Sequence, residues 1–346
     1  MARPRFLPDN FTLALLTTVA LASLLPASGA VAHFFENLTV AAVALLFFLH
    51  GAKLSRDAIV AGLGHWRLHL VVVGATFVLF PLLGWALKPV LLPLVTPELY
   101  VGVIYLCVLP ATVQSAIAFT AMARGNMPAA ICSASASTLL GIVITPLLVG
   151  LLMPEANGAS AHHDTLQNIG RITLQLFVPF VAGHLLRPWI GGFVKRHAPV
   201  LKFVDQGSIL LVVYTAFSAA VVEGLWSQLP LPALAGLLVV CAVLLALALV
   251  STTWLARRLG FSKEDEITIV FCGSKKSLAS GVPMAKVLFA AGAVGAMVLP
   301  LMLFPQMQLM LCAVLAQRYA RRPEAAEPVA AAAVAVAPAG AEPPRR

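Results

Sequence analysis

The chain has 346 residues, of which 60% are hydrophobic and only 11% charged, with a mean hydropathy of +0.94 and a formal net charge of +9. Soluble domains carry about 25% charged residues, so this composition excludes an ordinary soluble fold and defines an integral membrane protein. The positive charge does not call for nucleic acid, because its placement along the chain follows a membrane pattern.

Apolar stretches near the length needed to span a bilayer, about 20 residues, fall at 11–25, 35–49, 68–87, 99–122 and 127–152. Five more follow at 166–186, 203–225, 231–255, 267–290 and 293–315. With the N-terminus in the cytoplasm, ten spans place eighteen of the 23 lysines and arginines inside. Lys88, Arg171 and Lys286 fall outside, and Lys275 and Lys276 lie within a span. Such a bias is the positive-inside rule, and adding or deleting one span would invert every later loop. The reading is ten spans with both termini cytoplasmic. A rival reading takes Met1 to Ala32 as a cleaved leader, with a basic end, an apolar run and small residues, which leaves nine spans. The transporter body is expected over residues 6–320, split into repeats of about 6–155 and 160–320. The Ala/Pro/Glu-rich tail at 321–346 cannot build a core and is expected to be disordered.

Three segments carry polar chemistry at membrane depth. In the fourth span, Pro110 removes a helical hydrogen bond, and Thr112, Gln114 and Ser115 offer polar groups to the freed backbone. In the fifth span, Ser133 and Ser137 share one helical face within a run of small residues, suited to close packing or to lining a cavity beside the fourth. The ninth span is the most informative. It reads Phe271-Cys-Gly273-Ser274-Lys275-Lys276-Ser277-Leu-Ala-Ser-Gly281-Val-Pro283. One charge near the bilayer centre costs about 2.5 to 3.5 kcal/mol, so a lysine pair facing lipid would be unfavourable by roughly 5 to 7 kcal/mol. Both lysines must therefore meet protein or a hydrated solute chamber, and Gly273, Gly281 and Pro283 mark a helix that is not continuous. Irregular backbone bearing charge at that depth signals an ion or solute pathway. The five cysteines lie in apolar stretches at unrelated spacings and read as packing, with no metal site. His162, His163 and Asp164 read as a solvated loop.

Ten spans divide into two sets of five, and an odd number per half inverts one half relative to the other. Matching breaks in the fourth span of each half are the plan of many secondary transporters.

Several of these motifs resemble the bile acid:sodium symporter-like (SBF-like) family, in particular the member-seven-like branch of solute carrier family 10. They are Phe48-Leu-His-Gly51-Ala-Lys-Leu-Ser55, Gln114-Ser-Ala-Ile-Ala-Phe-Thr120, Ala123-Arg-Gly-Asn126, Cys132-Ser-Ala-Ser-Ala-Ser137 and Phe271 to Pro283. The resemblance implies an all-α polytopic fold of ten helices in two inverted five-helix repeats. It further implies a panel domain of the first, second, sixth and seventh spans, and a core domain whose unwound fourth and ninth spans cross at the substrate site. Sodium-coupled relatives carry a glutamate and a glutamine in the ninth break and a Ser-Asn pair in the fourth. Here Phe271 or Cys272 aligns with the glutamate, Lys275 with the glutamine, and Ala116 follows Ser115. Sodium requires oxygen ligands and is repelled by an ammonium, which argues against sodium coupling through those positions. A lysine would serve instead as a tethered cation or as a carrier of a proton.

The functional expectation is a secondary transporter in the plasma or bacterial inner membrane, not an enzyme and without a cofactor. It would move a small organic anion, bile-acid-like or another carboxylate or sulfate, with Na⁺ or H⁺ as the candidate coupling ions. The alternative is a non-transporting membrane regulator or assembly partner in which the lysines only brace unwound carbonyls. A Ser-Lys enzyme is disfavoured, since Ser274 and Ser277 sit beside lysines in sequence without an oxyanion motif.

Overall fold

The computed structural model describes residues 10–53, 63–153, 162–222, 224–228, 230–289 and 291–322. Almost all of the expected tail lies outside these residues. Among the described residues every regular element is helical. In chain order they are α1 (Asn10–Leu24), α2 (Gly29–Lys53), α3 (Trp66–Ala86), α4a (Pro97–Val108), α4b (Val113–Met122) and α5 (Met127–Leu152). There follow α6 (His162–Arg196), α7 (Ala198–Val222), α8 (Leu231–Arg258), α9a (Lys263–Gly273), α9b (Leu278–Leu288) and α10 (Ala291–Ala320).

Seven of these helices are long and apolar enough to cross a membrane, and the bent pair α4a and α4b makes an eighth if it counts as one span. The chain is therefore a multi-pass membrane protein. Helix α1, at 15 residues, is short for a span, and α9a and α9b have 11 residues each and carry charge. Large apolar side chains such as Leu70, Val250 and Trp254 stand on outer helix faces, where lipid replaces water as the solvent.

Two groups of helices pack together. In one, α2 lies along α6, and α7 contacts both α1 and α2. The α2–α6 seam is set by two glycines. A Cβ on Gly51 would lie 1.9 Å from the carbonyl oxygen of Phe180, and one on Gly183 would lie 1.9 Å from that of Phe48. Only residues without side chains allow such an approach. The second group brings α3, α4a, α4b, α5, α8, α9a, α9b and α10 around the breaks, and it meets the first where α7 packs on α9b and α10 and where α6 packs on α5.

The structure corrects three local readings. Helix α6 does not end near residue 186; it runs on through Pro188 to Arg196, and α7 begins at Ala198. The expected loop at His162 to Asp164 is instead the first turn of α6. Gly281 and Pro283 lie inside α9b, so the break between α9a and α9b precedes them, at 274–277. All five cysteines are buried thiols, and no cluster of metal-ligating side chains occurs among the described residues.

Candidate functional site at the crossed helix breaks

Helix α4a stops where Pro110 has no N–H to donate, and the chain turns through 63° before α4b resumes. A helix that ends inside protein leaves its last carbonyls in need of donors. Each is met. Lys276 Nζ donates to the carbonyls of Cys107 (2.7 Å) and Leu109 (2.8 Å). The Thr145 hydroxyl donates to that of Val108 (2.8 Å), and the Ser277 amide to that of Pro110 (2.9 Å). On the donor side, the Ala111 amide reaches the Ser137 hydroxyl oxygen at 2.9 Å.

The second break is satisfied from the first. The Thr112 hydroxyl donates to the Lys276 carbonyl at 2.7 Å, and Gln308 of α10 donates its amide to the Ser274 carbonyl. Ser277 then caps α9b, its hydroxyl oxygen accepting from the Ser280 amide (3.2 Å). The Tyr105 hydroxyl donates to the Gly281 carbonyl at 2.7 Å, tying α4a to α9b. The two unwound segments thus cross with hydrogen bonds in both directions.

The adjacent lysines differ sharply. Both are fully buried, at 0% exposure. Lys276 makes a third bond, to the Thr76 carbonyl (2.8 Å), and its ammonium lies 4.2 Å from the centre of the Phe80 ring. Thr76 sits in a π-helical turn of α3, Ala75–Leu79, where the wider winding frees backbone carbonyls. A cation at the C-terminus of α4a also suits the negative end of that helix dipole. Lys275 Nζ lies 4.4 Å from the centre of the Phe119 ring and beside the thiols of Cys272 and Cys312, with the Cys312 sulfur as its polar contact and no oxygen acceptor. The Ser274 hydroxyl is buried without a partner. In place of a hydrated chamber, the two ammonium groups meet carbonyls, thiols and aromatic faces.

The remaining site residues divide. Ser137 faces the break after α4a, where its hydroxyl meets the Ala111 amide, whereas Ser133, on the same face, hydrogen-bonds His69 of α3 (2.7 Å). Gly273 packs against Ala75, and Gly281 against Leu109. Pro283 is buried in α9b. Gln114 and Ser115 lie in the first turn of α4b, past the unwound segment, and Gln114 is exposed.

Gln114 faces a cleft of about 570 Å³ between the two helix groups. Its other walls include Lys53 of α2, Arg187 and Lys195 of α6, and Lys202 and Asp205 of α7. In the sequence these cations serve only as markers of topology. The missing signal lay in spacing, since Arg187 and Lys195 stand eight residues apart with Gly191 midway, on one face of a helix. A larger groove of about 680 Å³ on the outer side of α8 and α10 is lined mainly by apolar residues such as Leu249, Trp254 and Leu311, and contains none of the break residues.

Broken helices crossed at their centres, in a multi-pass apolar chain, are the construction of a membrane transporter. The chain belongs to the SBF-like CPA transporter family, whose model matches residues 9–321. An uncharacterized protein of Pseudomonas aeruginosa is 70% identical over 338 residues, covering 98% of this chain and 99% of that one. YfeH of Escherichia coli K12, whose assigned name makes it a candidate symporter, is 61% identical over 321 residues, 91% of this chain and 94% of its own. The sodium/bile acid cotransporter 7 of Xenopus tropicalis is 28% identical over 320 residues, 90% and 91% of the two chains. The names of the latter two are those of transporters, not of enzymes.

Proposed function

We propose that the protein is a secondary transporter that moves a small organic anion by alternating access. Its ten helical elements, counting α4a with α4b and α9a with α9b, are read as ten spans in two inverted halves with both termini cytoplasmic. The membrane is a plasma or bacterial inner membrane. The observation that carries this reading is the paired crossing of two unwound segments with a lysine amine in the middle.

The two lysines take separate tasks. Lys276, held by three carbonyls at 2.7–2.8 Å, occupies the kind of oxygen-lined position a bound cation would fill, so the fold needs no sodium there. Lys275, buried beside the Cys312 sulfur without an oxygen acceptor, is the amine left to meet a carboxylate or sulfate, or to accept a proton, once the core opens. The N-terminal turns of α4b and α9b add dipoles that favour an anion.

Uptake of labelled organic anions into proteoliposomes tests this, with sodium and proton gradients imposed in turn. Transport is expected without sodium, and Lys275→Met is expected to abolish it. Strictly sodium-dependent uptake, or full activity in Lys275→Met, would overturn the assignment.

One observation favours a second reading. Lys276 braces unwound carbonyls, as a non-transporting regulator of the same architecture would require. That reading predicts no uptake of any anion and no ligand that raises the unfolding temperature across a broad solute library.

A further inference from the structure

The cleft at Gln114 is built differently from the crossing beneath it. Besides Lys53, its cations come from the last three turns of α6 and the first turns of α7, two helices separated only by His197. Arg187, Gly191, Val194 and Lys195 supply one wall, and Ala198, Pro199, Lys202 and Asp205 the other. The single carboxylate on these walls, Asp205, is ion-paired with Lys53. No acidic group pairs with Arg187, Lys195 or Lys202 among the described residues. Gln114 closes the far side from the first turn of α4b, where helix N–H groups add positive potential.

Three cations without an acidic partner among the described residues repel one another around one concave volume, and clefts lined by one sign of charge concentrate the opposite ion. One carboxylate would leave most of that charge unmet. An arginine also offers paired donors that match the geometry of phosphate oxygens. At about 570 Å³ the volume suits a small ligand or a lipid headgroup.

We infer that this cleft binds an oxyanion carrying two or more negative charges, of the phosphate-ester class, through Arg187, Lys195, Lys202 and Gln114. The inference deepens the transport reading by naming the ligand class that approaches the crossing. Gln114 is two residues from Thr112, which holds the Lys276 carbonyl, so an occupant would touch the helix whose start forms the fourth-span break. Two sources share this chemistry, a soluble phosphorylated solute and the headgroup of a phosphomonoester lipid. Basic pockets between membrane helices bind either.

Binding is measured without transport, so failure here is separable from failure of the transport reading. The full-length protein in nanodiscs of phosphatidylcholine is titrated with inorganic pyrophosphate, and separately with acetate, while its unfolding temperature is followed. Pyrophosphate is expected to raise the midpoint by about 3 °C or more near saturation, and acetate to leave it unchanged. The combined Arg187→Gln, Lys195→Gln and Lys202→Gln variant is expected to lose the shift. Should it fail to fold, Lys202→Gln alone, at an exposed position, is expected to weaken pyrophosphate binding at least threefold. Nanodiscs containing phosphatidic acid separate the sources. Stabilisation by that lipid that pyrophosphate cannot increase identifies a headgroup site, and additive stabilisation or none identifies a soluble ligand. Equal stabilisation by acetate and pyrophosphate, or an unaltered pyrophosphate response in the folded variants, would refute the inference.

Discussion

Thr112 in one unwound segment and Lys276 in the other are joined by a 2.7 Å hydrogen bond from hydroxyl to carbonyl. Neither break is stable alone, because each supplies a donor that the other requires. Thr112→Val keeps the shape and removes the donor, leaving a carbonyl in the crossing unpaired. A loss of about 1 to 3 kcal/mol in stability is expected. A thiol-reactive dye that reports exposure of the five buried cysteines during heating would measure it.

Lys276 and Lys275 should respond in opposite ways to the same substitution. Lys276→Met removes donors from three carbonyls and is expected to cost about 3 kcal/mol or more. Lys275→Met removes only the contact with the Cys312 sulfur and relieves a buried amine without an oxygen acceptor, so stability should stay level or rise by about 1 kcal/mol. Thermal unfolding of the two variants side by side decides this, and equal destabilisation would contradict the division of roles.

The α2–α6 seam makes a sharp steric prediction. Gly51→Ala or Gly183→Ala places a methyl where a peptide oxygen stands, and each is expected to destabilise by about 3 kcal/mol through forced separation of the helices. Gly74 is the control. A Cβ there meets nothing within 4 Å, and Gly74→Ala should be neutral or stabilising by up to about 1 kcal/mol.

Glu266 begins the ninth-span pair as an anchor. Its buried carboxylate accepts from Arg257 (3.2 Å), Lys263 (2.6 Å) and the Tyr319 hydroxyl (3.1 Å). Glu266→Ala leaves these donors without their shared acceptor and is expected to cost about 2 to 4 kcal/mol. The same dye-based melting curve would register it, and Asp265→Ala, on the more exposed side of that turn, should cost less.

The sequence revealed the breaks because their causes are local. Pro110 lacks a donor wherever it sits, and two lysines amid apolar residues must be accommodated whatever the neighbours. What each lysine touches was not legible, since Thr76, Cys107 and Leu109 lie at least 160 positions away from Lys276. Gly281 and Pro283 misled because a proline six residues into a helix can be tolerated when packing holds the freed carbonyl, and α9b is buried almost throughout. Ser133 and Ser137 share a face yet part company, because His69 of α3 reaches one and the α4 break the other. The basic cleft was hidden by treating the end of an apolar run as the end of a helix.

Backbones that touch at Gly51 and Gly183 also constrain how the molecule can move. Peptide groups in direct contact interlock, so α2 and α6 can neither slide nor roll past each other without collision. They form one stiff wall. Any rocking must take place at the seams where that wall and α7 meet α5, α9b and α10, and the cleft at Gln114 sits on the line along which those seams would part.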